Sequence, residues 1–380
     1  MISVFPNDRD YFYDVHQNIY QVLGYMHPPD GVHCLFKYRK LENNREKTAG
    51  FVWKSQLSNF LYERNFSTYS SKTASSSIKK NPFRRFSEFY GVDFTIVPKE
   101  IIHRYLDPKM KLQQLRNNVR SNFSSLTDQE RYAIELSYIF EDELGISSQE
   151  MGVTGSILWG GVHAESDIDM TFYGKRSFRA FLGNIGKLIY KSNQLRSPSL
   201  TEKMTMANKF SQKSGMSLDD CTVFIAQKKF LLYFSKYYLS IAFCPTPSEI
   251  QQNSLGMNTT RFTNIPELSN LTIQATVSDD DWMYYYPGIV YLKNVKIPHS
   301  PSIAVDIPPI CRVLVFEHEN IGYFEKGSDI EVRGLVQLIM NPPYDVIAKN
   351  PPINGQNRYA QLVVGTLENF GNEYIKKIGL

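Results

Sequence analysis

A chain of 380 residues, 42% hydrophobic and 21% charged with a net charge of +4, can bury two or three domain cores and has the composition of neither a disordered nor a fibrous protein. Its four cysteines, Cys34, Cys221, Cys244 and Cys311, lie far apart with no Cys-x-x-Cys pair, which argues against a zinc cluster or disulfide framework and fits a reducing cytoplasm. The N-terminal residues lack a basic stretch followed by an apolar core, and no apolar run reaches the ~18–20 residues of a bilayer span, so a cytoplasmic protein with no membrane partner is expected.

In chain order, two β-rich runs at 19–25 and 32–38 flank His27-Pro28-Pro29-Asp30-Gly31, a strong turn sequence, and residues 1–65 read as a small N-terminal β unit. Residues 66–109 read as a basic connector. Within it Phe83-Arg84-Arg85-Phe86-Ser87-Glu88-Phe89-Tyr90 interleaves aromatic and basic side chains; this predicts a surface helix burying its aromatic face, with base stacking as the other reading. Thr127-Asp128-Gln129-Glu130 is a capping box. It predicts a helix to about Leu144, with Tyr132, Leu136 and Ile139 or Phe140 inward and Gly145 as the stop.

The stretch 151–174 carries the chemistry. Gly152 and Gly155 permit a tight turn and close backbone approach to a ligand, and Ser156 opens a short helical segment at 157–159 bounded by Gly160 and Gly161. Backbone N–H groups at such a turn suit an anion, with triphosphate the obvious candidate. Ten residues later comes Asp167-Ile168-Asp169-Met170-Thr171-Phe172. On a strand both carboxylates project from one face while Ile168 and Met170 point to the other. Two adjacent carboxylates repel each other unless a cation lies between them, and an all-oxygen donor set favours Mg²⁺, or Mn²⁺, over zinc.

A Gly-Ser turn, a short spacer and Asp-x-Asp with apolar flanks resemble the DNA polymerase beta-like nucleotidyltransferase superfamily. With the opening Tyr25-Met26-His27-Pro28-Pro29-Asp30 and the β-rich tail, the chain resembles an archaeal family of predicted nucleotidyltransferase-domain proteins over most of its length. The resemblance implies an α+β fold with a nucleotidyltransferase domain at 110–248. After the Asp-x-Asp strand, helices are expected at 176–192, 200–213 and 218–234, then a strand at 237–243 beside the first. From 265 to 380 short strands at 271–277, 288–292, 311–316, 329–333 and 359–364 predict a C-terminal β-barrel-like domain, and Gly327 to Gly334 gives an OB-like cue.

The activity implied is Mg²⁺-dependent transfer of a nucleoside monophosphate from NTP to an acceptor hydroxyl, on RNA or DNA, with release of pyrophosphate. Gly155 and Ser156 would hold the nucleotide, and Asp167 and Asp169 the metal. Lys175, Arg176, Lys228 and Lys229 are loose candidates for neutralising phosphate. Two-metal transfer uses a third carboxylate on the neighbouring strand, yet the residues available there are Ser240 and Ala242. Substitutes exist at Asp219, Asp220, Glu249, Asp306 and the triplet Asp279-Asp280-Asp281, and the departure keeps open a decayed enzyme that binds nucleotide or nucleic acid. Basic residues are in excess over 72–120 and 175–213, and acidic ones from 265 onward, so a basic surface beside the site is the other support for a nucleic-acid partner.

Overall fold

The computed structural model describes residues 6–42, 51–65, 78–212, 214–253, 260–298, 307–350, 358–366, 369 and 371–379. Among these residues the chain is α+β, with three sheets. The first has eight strands. Val52–Lys54, Leu61–Arg64, Gly31–Lys40, Ile19–Val22, Tyr11–Asp14 and Ile102–Leu106 run in that spatial order, and Val92–Pro98 and Arg84–Ser87 attach beside Gly31–Lys40. The aromatic-basic segment is therefore an edge strand and not the expected helix. Pairing with Val92–Pro98 and ion pairs override the helix-like spacing: Arg84 pairs with Asp93 on the neighbouring strand, Arg85 reaches Asp30 at 2.7 Å, and Phe86 is left 48% exposed.

The central sheet is where the glycine turn and the paired aspartates lie. Thr127 caps the helix Asp128–Leu144 in a reciprocal capping box with Glu130, and Gly145 ends it in the left-handed conformation. Leu136 and Phe140 on its inner side are fully buried. The chain then forms the strand Met151–Val153, the short helix Gly155–Trp159 and the strand Ile168–Tyr173, which Tyr237–Cys244 joins in parallel. The helices Lys175–Lys191, Leu200–Ser211 and Leu218–Gln227 lie between the last two. The third is shorter than expected, because Leu232–Phe234 leaves the helix to pair antiparallel with Tyr237–Leu239 through a turn at Ser235 (φ 54°). Hairpin pairing that buries Leu232 and Phe234 wins over local helix propensity here.

In the C-terminal region the five expected strands appear as Leu271–Trp282, Gly288–Lys296, Ile310–Val315, Asp329–Met340 and Tyr359–Val364. They close on themselves: the first pairs with the second and fourth, the third with the second and fifth, and the fourth with the fifth. The third and fifth are parallel and the other pairs antiparallel. Alternate side chains face two cores. Val290, Leu292, Val313 and Val315 fill the barrel, whereas Ile289, Tyr291 and Leu314 join a cluster with Ile134, Phe172, Phe178 and Tyr25 from the other two regions. That shared cluster fastens the barrel to the rest of the chain.

Candidate functional site

Local backbone geometry fixes the floor of the site. Ile168, Met170 and Phe172 are wholly buried on one side of their strand, so Asp167 and Asp169 turn to the other. Gly155 sits at φ +61°, and a Cβ there would stand 1.9 Å from Asp169 Oδ2. Both the backbone conformation and the closeness of the carboxylate demand glycine. The Thr154 N–H donates to the Asp169 carbonyl at 3.0 Å, locking turn to strand. Gly155, Ser156, Asp167, Asp169 and Ser240 thus line one cleft of about 620 Å³, a volume suited to a small ligand.

Withdrawal from water, reinforced by repulsion from Asp169 and opposed by Arg64, pushes the Asp167 carboxyl up to about 7. A carboxylate pair destabilised in this way favours a cation. Ser240 lies directly beside Asp169 on the parallel neighbour. Among the described residues no group of three or more His, Cys, Asp and Glu side chains is gathered closely enough to hold a metal ion. The donor set fits Mg²⁺, which takes one or two carboxylates and completes its shell with water and substrate phosphate.

The opposite wall comes from the N-terminal sheet. Arg9, Lys37 and Arg64 face the same cleft. Arg9 adopts φ 71°, and its carbonyl accepts from Thr154 Oγ1 at 2.5 Å, tying this wall to the glycine turn. Lys37 is only 6% exposed, and its Nζ donates to the Tyr11 hydroxyl and to Gln21 Oε1 at 2.7 Å. Burial draws the Lys37 ammonium down to about 7, against the pull of Asp169. Near pH 7 the group is therefore divided between ammonium and amine, and an anion entering the cleft would favour the charged form.

The loose cation candidates lie elsewhere. Lys175 pairs with Asp281 at 2.8 Å, Lys229 with Glu325, and Lys228 donates to the Glu319 carbonyl, while Arg176 is exposed on its helix. None of the four lines the cleft. The candidate third carboxylates also have other duties. Asp219 is in the first turn of the helix Leu218–Gln227, Asp220 pairs with Lys376, Glu249 accepts from the Thr246 and Lys175 N–H groups, and Asp279 pairs with Lys349. Asp280 and Asp281 stay away from the cleft as well, and Asp306 lies outside the described residues.

The barrel supplies the last wall, with Tyr286, Phe316, Glu317 and Glu319. Lys37 had a sequence signal, a charge in the otherwise apolar 32–38 run. Arg9, Arg64 and the barrel rim had none, because they meet the aspartates only through tertiary packing.

No family model matches the chain, and no solved structure matches it. It is similar to an uncharacterised protein of the archaeon Methanocaldococcus jannaschii, at 25% identity over 375 residues that cover 97% of this chain and 98% of that protein. The similarity therefore runs through all three regions and is not confined to the glycine turn and aspartate pair. Among the described residues, no helix is long and apolar enough to cross a membrane.

Proposed function

We propose that the protein is an Mg²⁺-dependent nucleotidyltransferase, built on a polymerase-beta-like central sheet and closed by an OB-type barrel. One observation carries the reading: the glycine turn and the aspartate pair form the floor of a single cleft whose facing wall presents Arg9, Lys37 and Arg64. The parallel pairing of Ile168–Tyr173 with Tyr237–Cys244 and the closed five-strand order support the two fold assignments.

In this mechanism Asp167 and Asp169 hold the metal ion, which when bound neutralises phosphate charge and polarises the α-phosphorus. The Gly155–Ser156 turn receives the β- and γ-phosphates through backbone N–H groups. Arg9, Lys37 and Arg64 stabilise the charge that builds on the departing pyrophosphate. An acceptor hydroxyl attacks the α-phosphorus in line, the bond to the bridging oxygen breaks, and the proton leaves to solvent. A nucleic-acid end is the first acceptor to test.

The second reading, a decayed enzyme that binds nucleotide or nucleic acid, is favoured by Ser240 beside Asp169. Binding of nucleic acid through the barrel is disfavoured, because Ile289, Tyr291 and Leu314 on its outer side are buried in the shared core. The deciding experiment follows label from α-labelled NTP into RNA, DNA and protein, with pyrophosphate release, for the native chain and Asp167→Asn/Asp169→Asn. Product that vanishes in the variant supports transfer; nucleotide binding without product in the native chain supports the decayed enzyme.

A further inference from the structure

The mouth of the cleft carries an aromatic cluster that the phosphate chemistry leaves unused. Phe51 is 59% exposed, although its ring lies 4.6 Å from Trp53 and 5.1 Å from His163. Exposed aromatic surface of this kind, massed beside a charged cleft, costs solvation unless a ligand covers it. Trp53 and His163 both line the cleft.

The cluster is held rigidly. Trp53 sits on the strand Val52–Lys54, paired with Leu61–Arg64, and the Arg64 guanidinium lies 4.9 Å over its ring. The same Arg64 acts electrostatically on Asp167. On the other side Gln129 Nε2 donates to the carbonyl of His163 at 2.8 Å, and the Ser166 N–H returns to that carbonyl at 2.9 Å, clamping the loop that leads into Asp167. Burial and Arg64 together lower the His163 imidazole below its ordinary value, against the pull of Glu165. Arg64 thus stands between the ring of Trp53 and the carboxyl of Asp167 in its interactions, so aromatic surface, cation and carboxylate meet in one cleft, as base, phosphates and metal do in a metal-bound nucleotide.

We infer that the lip formed by Phe51, Trp53 and His163 is a nucleobase subsite, which stacks the base of the nucleotide whose phosphates face Arg9, Lys37 and Arg64. The inference rests on the reading of the cleft as a nucleoside triphosphate site and adds where the base lies. A stacking platform accepts every base, so purines, with larger rings, bind more tightly than pyrimidines without strict selection.

Tryptophan fluorescence tests this directly, because Trp159 and Trp282 are 0% and 5% exposed and Trp53 is the tryptophan at the cleft. The full chain with Mg²⁺ is titrated with ATP, CTP, inorganic tripolyphosphate and a short single-stranded oligonucleotide, with calorimetry in parallel. ATP is expected to quench more than CTP, and tripolyphosphate to bind without quenching. Phe51→Ala, at an exposed position, and the conservative Trp53→Phe each weaken ATP, the first by about tenfold, and leave tripolyphosphate unchanged. Equal affinity for ATP and tripolyphosphate, with no quenching and no effect of Phe51→Ala, overturns the subsite and leaves the cleft reading intact. Quenching by the oligonucleotide alone assigns the lip to the acceptor and overturns it for the nucleotide. If neither ATP nor tripolyphosphate binds, the cleft reading itself fails and the subsite with it.

Discussion

Replacing Gly155 by alanine puts a methyl group where the structure has none to spare. A non-glycine residue in the left-handed region costs ~1–2 kcal/mol. The new Cβ would stand 1.9 Å from Asp169 Oδ2, against the ~3.5 Å at which non-bonded carbon atoms rest, so the carboxylate must withdraw by more than about 1 Å. Forcing that side chain off its rotamer adds ~0.5–1.5 kcal/mol. The total is about 1.5–3.5 kcal/mol of folding stability, read from denaturant unfolding. The functional loss is larger, since a displacement of ~1 Å in a catalytic group can cost 10²-fold in rate. Mn²⁺ affinity, followed by electron paramagnetic resonance, should fall alongside. Gly183→Ala is the control: it lies exposed within the helix Lys175–Lys191 with nothing within 4 Å of a new Cβ, and should stabilise by ~0.5–1 kcal/mol. A Gly155→Ala protein that unfolds like the native chain and retains its Mn²⁺ affinity would refute the account of the turn.

Four further outcomes follow from the charges in the cleft. The folded-state pKa of Asp167 lies above its unfolded value, at about 7, so its contribution to stability is full at low pH and is lost as pH rises from ~4 through 7; metal-free Asp167→Asn should lack this part of the pH dependence in thermal melts. Mn²⁺ binding at pH 6 should release a proton from the same carboxyl, visible as a calorimetric heat that varies with buffer ionisation enthalpy and is absent from Asp167→Asn. Lys37→Met removes a buried ammonium while Tyr11 and Gln21 remain within 3.4 Å of each other, so it should raise the melting temperature yet weaken tripolyphosphate binding by tenfold or more; unchanged binding would remove Lys37 from the phosphate wall. Ser240→Asp, beside Asp169 on the parallel strand, should lower metal-free stability and tighten Mn²⁺, and a variant with unaltered Mn²⁺ affinity would exclude that position as a metal ligand.

What could be read from the sequence was what the chain encodes within a few residues. The capping box at Thr127, the stop at Gly145, the turn at Gly155 and the alternation around Asp167 depend on neighbours along the backbone, and each appears where its spacing puts it. The barrel strands were legible for the same reason, since each is a short β-rich run between turn residues. Errors arose where long-range pairing competes with local pattern. Phe83 to Tyr90 has helix-like amphipathicity, but Asp30 and Asp93 are where its arginines find partners. At 228–234 a hairpin with Tyr237–Leu239 replaced the last turns of a helix.

The same distinction explains why the cation candidates near the motif do not line the cleft. Lys175, Lys228 and Lys229 are close in sequence to elements of the central sheet, and each is occupied by an acidic or carbonyl partner at the junction with the barrel. Arg9 lies in the turn before Tyr11–Asp14, Lys37 on Gly31–Lys40 and Arg64 on Leu61–Arg64, and they converge only because the N-terminal region covers the aspartate edge. The cleft assembled from three regions withdraws Lys37 from water and leaves Asp169, Arg9 and Arg64 half-buried and Asp167 exposed, so Coulomb interactions among them are stronger than between fully solvated surface charges. Carboxylates outnumber cations along the cleft, since Asp93, Glu165, Glu317 and Glu319 line it beside Asp167 and Asp169 while Arg9, Lys37 and Arg64 are its arginine and lysine side chains, so an anion entering alone is opposed and a cation has to accompany it. On the proposed reading a metal-bound triphosphate would meet both walls at once, whereas a nucleic-acid duplex lying on the outer surface would meet neither.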